Sequence, residues 1–164
     1  MRTSALVPTR DEILMRRAIG LARDGMCSGF GGPFGAVVTS GDDIVGEGCN
    51  RVTSTSDPTA HAEIVAIRDA CRHLGTFTLA GCTLYTSCEP CPMCLAAAYW
   101  ARLDRIVYGA DREDAARTGF DDALLYEELM LPISRRTVPT DRVLAVDAAG
   151  LFDEWLAKGD RVPY

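Results

Sequence analysis

Apolar and polar residues recur along this chain in two different periods, which predict helices and strands in turn. A helical spacing of apolar residues follows Thr9, and Glu12 completes a capping-box pattern three residues later, with Gly25 as the stop. Alternating stretches then flank a turn at residues 40–43. This arrangement predicts a hairpin whose strands cover residues 34–39 and 44–52.

The second part of the chain continues the alternation of strands and helices. A loop rich in Thr, Ser, Asp and Pro covers residues 53–59. Because strands alternate with helices, the pattern predicts one layered α/β domain over residues 1–164. The predicted helices cover residues 60–74, 90–102, 121–131 and 151–158, and the predicted strands cover residues 83–86, 105–110 and 142–146.

Length and charge narrow the class of protein. A chain of 164 residues is long enough for one domain that buries roughly 70% of its unfolded surface. The formal net charge of -6 argues against a general nucleic-acid binder, which usually carries a basic face. No apolar run approaches 18 residues, so the sequence predicts no membrane span.

The number of cysteines indicates the cellular compartment of the protein. Seven cysteines are an odd number, and the N-terminal residues lack the long apolar core of a secretory signal. Such a count does not suggest a disulfide framework. We therefore expect a cytoplasmic protein whose cysteines serve as metal ligands or as buried small residues.

Two segments carry the residues suited to metal chemistry, namely His61-Ala62-Glu63 and Pro90-Cys91-Pro92-Met93-Cys94. Cys91 and Cys94 are three residues apart on one predicted helix, so both sulfurs can reach one ion. Together with His61 they make three N/S ligands, which leaves a fourth tetrahedral position open, as in catalytic zinc sites. The sequence therefore predicts one Zn²⁺ per chain.

Glu63 has the chemistry of a proton carrier beside such a metal. Zinc with two thiolates is formally neutral, so it acidifies water less strongly than a three-histidine site does. A nearby carboxylate is then needed to take the proton, and Glu63 follows the predicted ligand His61 by two residues. We expect Glu63 to act as a general acid–base.

Each feature alone has a plainer explanation. A histidine at a helix start is usually a cap or core residue, and a C-x-x-C pair is often a redox pair or core packing. Cys88 could also complete a closed structural zinc site. However, H-x-E followed by P-C-x-x-C is the joint pattern of zinc nucleobase deaminases, which favours a catalytic site. We interpret Cys88 as a buried strand residue.

At these motifs the chain resembles the cytidine deaminase superfamily, and within it the bacterial guanine deaminases. The zinc motif is specific for the superfamily only, whereas the Gly119–Asp122 element and the aromatic C-terminus favour the guanine deaminases. The resemblance extends from about Asp11 to Tyr164. It rests on residues 50–54, 57–63, 86–94, 99–102 and 119–122.

The resemblance implies a three-layer α/β/α fold with a mixed five-stranded sheet. It also implies a domain-swapped homodimer, in which a C-terminal segment of about residues 148–164 closes the partner's site. The apolar residues Phe152, Trp155, Leu156 and Val162 make this tail too apolar to be only solvated.

Further site residues follow from the same resemblance. It implies that Asn50 binds the polar edge of a purine and that Asp122 assists proton transfer at the leaving amine. It also implies that Tyr164 helps to seal the pocket, with Ala62 among the residues around the substrate. The plainer alternatives are a strand-end turn for Asn50, a helix N-cap for Asp122 and a frayed terminus for Tyr164.

Two aromatic residues complete the set of candidates. Phe34 could line the pocket, although a phenylalanine on a first strand is more often a core residue. Trp100 could lie near the site or pack elsewhere, and packing is slightly favoured.

The implied function is zinc-dependent hydrolysis of guanine to xanthine and ammonia, with a small purine base as substrate and no nucleic acid or membrane as partner. One alternative is deamination of adenosine in tRNA, or of another nucleoside or amino-heterocycle. A remote alternative is a zinc-stabilised interaction module without activity, although Glu63 argues against a purely structural site.

Overall fold

A computed structural model describes residues 7–163 of the chain. They divide into two compact units, the first ending at Asp122 and the second beginning at Ala123. The first unit contains α1 (Arg10–Cys27), β1 (Gly35–Ser40), β2 (Asp43–Cys49), α2 (Val52–Thr55), α3 (Ala62–Leu74), β3 (Cys82–Cys88), α4 (Pro92–Trp100), β4 (Arg105–Ala110) and α5 (Arg112–Ala116).

The first unit is built on a four-stranded mixed sheet in the order β2-β1-β3-β4. β1 pairs antiparallel with both β2 and β3, whereas β3 and β4 run parallel. A parallel pair needs a crossover connection, and α4 supplies it between β3 and β4. The carboxyl ends of β3 and β4 therefore lie at the same edge of the sheet.

Helices cover both faces of the sheet. Leu14 and Ala18 of α1 pack on Val37 and Tyr85 of one face. α3 covers the other face, where Ala62, Ala66 and Ala70 join a second cluster with Ala36, Val38 and Leu84. The helices approach so closely that a Cβ on Gly35 would lie 2.2 Å from the Ala18 carbonyl oxygen. The α/β fold with helices on both faces is therefore confirmed.

The capping box and the hairpin turn follow the sequence pattern, whereas α1 continues past the predicted stop at Gly25 to Cys27. The Thr9 side chain accepts a hydrogen bond from the Glu12 backbone N–H, and the Glu12 carboxylate accepts one from the Thr9 backbone, which completes the capping box. α3 ends at Gly75, which has the left-handed conformation of a helix C-cap. The hairpin of β1 and β2 turns between Ser40 and Asp43.

The second unit contains α6 (Ala123–Met130), a 3-10 helix (Ile133–Arg135) and α7 (Ala145–Ala157). The predicted strand over residues 142–146 is wrong, and the sheet of the described residues has four strands rather than five. A continuous apolar run such as Val143–Val146 fits a strand or a helix, and here α7 begins at Ala145 rather than Leu151. Within residues 7–163, no helix has the length and apolarity that a membrane span requires.

Candidate metal centre and active site

Two helix N-termini carry the metal-ligand candidates. His61 is the N-cap residue of α3, and Cys91 is the N-cap residue of α4. Neither side chain makes a capping hydrogen bond with its own helix. Both side chains point towards each other instead, and Cys94 joins them from the first turn of α4. The motif residues predicted as ligands therefore meet at one point.

The spacing of the three donor atoms fits a zinc ion. The His61 Nδ1 atom lies 3.6 Å from the Cys91 Sγ atom and 3.5 Å from the Cys94 Sγ atom. Tetrahedral zinc, with bonds of about 2.3 Å to sulfur and about 2.0 Å to nitrogen, places such ligand atoms about 3.5 Å apart. All three ligand atoms lie within 4.8 Å of one another. The cluster could therefore hold one zinc ion without rearrangement.

The electrostatics of the cluster suit a divalent cation. The hydrogen bond from Cys94, followed by the one from His61, lowers the pKa of the Cys91 thiol to about 4. The thiolate formed there raises the pKa of His61 through their hydrogen bond and raises the pKa of Cys94 well above its usual range. Two thiolates without a cation repel each other, whereas zinc compensates both charges.

Glu63 lies beside this cluster. It is the second residue of α3, and only 5% of it is exposed. Burial is the main cause that raises the pKa of its carboxyl group. The Cys94 Sγ atom is 3.4 Å from one carboxylate oxygen of Glu63. A buried carboxylate with a raised pKa is suited to hold a proton between two transfers near neutral pH.

Thr86 positions the other oxygen of Glu63 and was missed in the sequence. Its side chain is fully buried on β3, and its hydroxyl donates a 3.2 Å hydrogen bond to the Glu63 Oε1 atom. Threonine is common in strands, so its residue type gave no signal of this role. Only the packing of α3 against β3 brings the two side chains together.

Cys88 lies outside the cluster of ligand candidates. It is the last residue of β3 and is buried, and its Sγ atom donates a 3.6 Å hydrogen bond to the Asp111 carbonyl oxygen. Burial is the first cause that raises the pKa of its thiol to about 11. Among the described residues, the side chains whose ligand atoms meet at one point are those of His61, Cys91 and Cys94, and Cys88 is not one of them. The structure thus agrees with Cys88 as a buried strand residue.

Asn50 and Ala62 are located after the end of β2 and at the start of α3. Asn50 follows the end of β2 and is 6% exposed, and its Oδ1 atom accepts hydrogen bonds from the backbone N–H groups of Gly32 and Val52, both at 3.2 Å. Ala62 is fully buried between His61 and Glu63 at the start of α3. The Asn50 side chain therefore closes a local turn with Val52 and also joins that turn to the loop at Gly32, so the turn alternative for Asn50 stays open.

Phe34 forms an aromatic contact with a residue of the Gly119–Asp122 element. The rings of Phe34 and Phe120 meet edge to face with their centroids 4.9 Å apart. Phe34 also packs against the buried cluster below the sheet. The ring is therefore partly buried between the core cluster and Phe120, and its place in a substrate pocket stays a prediction.

Asp122 follows Phe120 by two residues and is the last residue of the first unit. Its carboxyl group is half buried, and burial, followed by the nearby Cys91 thiolate, raises its pKa. It also directly precedes α6, so its N-cap alternative stays open. Asp122 nevertheless lies near enough to the ligand candidates to feel their charge.

Trp100 does not belong to the ligand cluster. Trp100 ends α4, whereas Cys94 is in the first turn, so the two are roughly 9 Å apart along the helix axis. The Trp100 side chain is 66% exposed, which argues against packing in the core of its own chain. Tyr164 lies outside the described residues.

Comparison with known proteins identifies relatives over most of the chain. Residues 8–110 match the family described as the cytidine and deoxycytidylate deaminase zinc-binding region. The guanine deaminase of Bacillus subtilis (strain 168) is 49% identical over 144 residues, which cover 88% of this chain and 92% of that protein. The X-ray structure of a guanine deaminase from Bacillus subtilis matches with a TM-score of 0.92 at 46% identity, over 95% of this chain and 99% of that one.

Two further relatives are more distant. A guanine deaminase structure from Nitrosomonas europaea matches with a TM-score of 0.64 at 32% identity, over 73% of this chain and 68% of that one. The tRNA-specific adenosine deaminase of Bacillus subtilis (strain 168) is 38% identical over 120 residues, or 73% of this chain and 74% of that protein. The similarity therefore extends to both substrate classes but is greater for the guanine deaminases.

Proposed function

The chain belongs to the cytidine and deoxycytidylate deaminase zinc-binding family, and from this premise we propose that it hydrolyses guanine to xanthine and ammonia. Its enzyme class is that of hydrolases acting on a C–N bond. The observation that carries the proposal is the His61, Cys91 and Cys94 cluster with the buried Glu63 beside it. The likeness to guanine deaminases over nearly the full chain selects the substrate.

His61, Cys91 and Cys94 would hold the zinc ion that is characteristic of this family, one per chain. When bound, zinc supplies a Lewis acid that lets water act as a nucleophile near neutral pH. The mixed nitrogen and sulfur donors and their tetrahedral spacing support this metal over magnesium or calcium, which prefer oxygen ligands.

Glu63 would move the protons of the reaction. Water adds its oxygen to C2 of guanine, and Glu63 accepts a proton from that water and returns it to the adjacent ring nitrogen. Glu63 then takes the second proton from the hydroxyl group on C2 and gives it to the exocyclic amine. The bond between C2 and that nitrogen breaks, which releases ammonia and leaves a carbonyl group at C2. The hydrogen bond from Thr86 holds the Glu63 carboxylate in position between these transfers.

The remaining candidates would hold the base. Asn50 would bind a polar group of guanine, and Phe34 and Ala62 would line the pocket beside it. We include Asp122 as an assistant in proton transfer to the amine, because its raised pKa and its closeness to Cys91 suit that role. Trp100 and Tyr164 would contribute to the substrate pocket through the homodimer that is proposed below.

Guanine is expected to be deaminated far faster than adenine or cytosine. Attack must occur at C2, and a pocket that pairs with a polar group of its substrate rejects analogues lacking that group by ~10⁴–10⁵-fold. The measurement is ammonia release over purine bases, nucleosides, cytosine and an adenosine-containing tRNA stem-loop. Adenosine deamination in tRNA has less support, because that relative matches less of the chain at lower identity. A tRNA stem-loop as the best substrate would overturn the guanine assignment.

The enzyme would act as a homodimer that exchanges its C-terminal segments of about residues 148–164, with each chain otherwise one domain. Over residues 123–163, which the structure describes, no residue is buried. The side chains of Phe152 and Leu156 on α7 are 72% and 63% exposed. Exposed apolar groups on this scale mark an interaction surface, and exchange of an identical element is a low-cost route to a closed dimer. A second copy of this chain is therefore the proposed occupant.

Deleting residues 161–164 is expected to lower guanine turnover severely while zinc stays bound, because the tail would exclude water from the partner's site. Kinetics, elemental analysis and light scattering on the truncated chain are the measurements. Phe152→Ser should weaken the dimer, whereas Glu154→Gln on the same helix is the matched control. Unchanged kinetics of the truncated chain would show that the tail is no lid.

Mixing two inactive chains tests the exchange itself. One chain carries Glu63→Gln with its full tail, and the other has an intact Glu63 without residues 161–164. If tails are exchanged, random pairing of equal amounts restores roughly one site in four, because an intact Glu63 then meets the partner's intact tail. If each tail served its own site, the mixture would stay inactive.

We propose a cytoplasmic location for the enzyme. All seven cysteines lie within residues 7–163 and are free thiols in the structure. Free thiols, two of them proposed as metal ligands, are most stable in a reducing compartment.

A further inference from the structure

The direction of the His61 ring depends on the backbone that leads into α3. His61 is the N-cap residue of this helix in an extended conformation, and its side chain makes no capping hydrogen bond. Within residues 7–163, the ring has hydrogen-bond contacts only at Nδ1, which faces the sulfurs of Cys91 and Cys94. Zinc-binding histidines are usually oriented by a carboxylate or a carbonyl group at the other ring nitrogen. Because these residues supply no such contact, the orientation has to come from the chain before His61.

The segment of residues 57–60, here called the entry loop, is folded by the side chain of Asp57. The Asp57 Oδ1 atom accepts hydrogen bonds from the Thr59 N–H at 2.8 Å and from the Thr59 hydroxyl at 2.6 Å. A side chain that accepts from the N–H two residues later forms an Asx turn. The Asp57 carbonyl oxygen also accepts a 3.1 Å hydrogen bond from the Ala60 N–H. One residue therefore fixes both following residues of the loop that donate.

Backbone hydrogen bonds connect the entry loop to His61. The His61 N–H donates to the Thr59 carbonyl oxygen at 2.8 Å. Ala60 is 5% exposed, and its carbonyl oxygen accepts a 2.9 Å hydrogen bond from the Arg51 N–H. Thr59 is thus held by Asp57 and in turn holds His61. A change in the turn would rotate the peptide before His61, and with it the direction of the Nδ1 atom.

The turn is a stronger contact of Asp57 than its ion pair. The Asp57 Oδ2 atom lies 3.8 Å from the Arg68 Nη1 atom on α3, but the two side chains are 38% and 57% exposed. Exposed pairs of this kind contribute little to stability. The hydrogen bonds from Thr59 hold the pKa of the Asp57 carboxyl below its usual range, so it remains an acceptor near neutral pH.

We propose that Asp57 is a positioning residue for the metal ligand His61, and that it acts through the Asx turn with Thr59. This inference rests on the proposed function and adds what holds a zinc ligand in its binding direction. Asp57 does not belong to the ligand cluster itself. A ligand that is already oriented loses little freedom when the metal binds, so the turn should tighten zinc binding and slow zinc release.

Asp57→Ala removes the turn. In the presence of a chelator, we expect zinc to leave this holoenzyme roughly 10–100-fold faster than the wild type, the loss typical of residues that orient a metal ligand. Asp69→Ala is the matched control. Asp69 also accepts a backbone N–H, from Glu47 at 3.1 Å, and also pairs with an arginine of α3, Arg72 at 3.1 Å. Its zinc release should equal that of the wild type.

Asp57→Asn separates the turn from the charge. The amide oxygen can accept both hydrogen bonds from Thr59 but cannot form an ion pair with Arg68. Zinc release should stay within about twofold of the wild type, since an exposed ion pair contributes little. The absorption spectrum of the Co²⁺-substituted protein reports the ligand geometry, and we expect it to change in Asp57→Ala but not in Asp57→Asn or Asp69→Ala.

Thr59→Val tests the same turn if Asp57→Ala does not fold. It removes the hydroxyl donor at nearly unchanged shape, so zinc release should accelerate roughly two- to tenfold, the usual effect of one hydrogen bond. Thr53→Val is its control, because the Thr53 hydroxyl donates to the Phe30 carbonyl oxygen instead. Zinc release no faster in Thr59→Val than in this control would overturn the inference. Equally rapid zinc loss from Asp57→Asn and Asp57→Ala would overturn it as well.

The zinc measurements do not depend on which base the enzyme deaminates. A wild type that holds zinc but releases no ammonia from guanine would refute the proposed substrate, and chelator extraction would still decide the role of Asp57. A wild type that binds no zinc would refute the proposed function and this inference together.

Discussion

Replacing Glu63 by glutamine is expected to abolish most guanine turnover, by ~10²–10⁴-fold or more, while zinc and the fold are retained. The amide has nearly the same shape as the carboxylate and can keep the hydrogen bond from the Thr86 hydroxyl. It cannot accept the proton of the attacking water. Because one residue would serve more than one proton transfer, its loss should affect several steps.

The environment of Glu63 explains why no other group would take over its proton transfers in the Glu63→Gln variant. The side chain is almost completely buried, and burial raises the pKa of its carboxyl group. Bulk water therefore has poor access to take over the transfer. Asp122 has a raised pKa as well, but it is less buried and precedes a different helix.

Ammonia release and zinc content of the Glu63→Gln enzyme are the measurements. Glu47→Gln is the matched control, since Glu47 pairs with Arg17 at 2.6 Å on the surface, and such pairs are worth about 0–1 kcal/mol. The control should retain wild-type turnover. Turnover near the wild-type value in Glu63→Gln would eliminate the proposed mechanism.

The sequence predicted the site best where the metal-ligand motif coincides with a local helix signal. His61 and Cys91 each precede a helix by one residue, so the same residues are both N-caps and metal-ligand candidates. Because Glu63 and Cys94 follow these N-caps by two and three residues, their places in the first turns of α3 and α4 could be predicted. The capping box at Thr9 and the left-handed Gly75 were predictable for the same reason, because each signal acts over a few residues.

The sequence failed where the outcome depends on packing between distant segments. The run Val143–Val146 has no period that separates a strand from a helix, and residues up to Ala157 continue the helix. Thr86 looks like an ordinary strand residue until α3 brings Glu63 within 3.2 Å of its hydroxyl. The orientation of Asn50 likewise depends on Gly32, which is 18 residues earlier in the chain.

Substitution of either Cys91 or Cys94 by serine is expected to remove zinc and all measurable activity. The thiolates supply both the charge and the soft donors, and a neutral hydroxyl supplies neither. In the structure the Cys91 and Cys94 sulfurs lie 3.6 Å and 3.5 Å from the His61 Nδ1 atom, so each of the three residues supplies one corner of the site. Loss of one ligand should therefore destroy the site rather than weaken it.

Cys88→Ser is the matched control for these variants, because it makes the same chemical change three residues before Cys91. The Cys88 thiol keeps its proton and donates to the Asp111 carbonyl oxygen, a bond that the serine hydroxyl can also make. We expect full zinc and near wild-type turnover in this variant.

Elemental analysis of the purified proteins gives the zinc content per chain. Thermal unfolding should show lower stability for Cys91→Ser and Cys94→Ser, since metal binding adds to the free energy of folding. Full zinc in Cys94→Ser, or zinc lost in Cys88→Ser, would show that the ligand set is assigned wrongly.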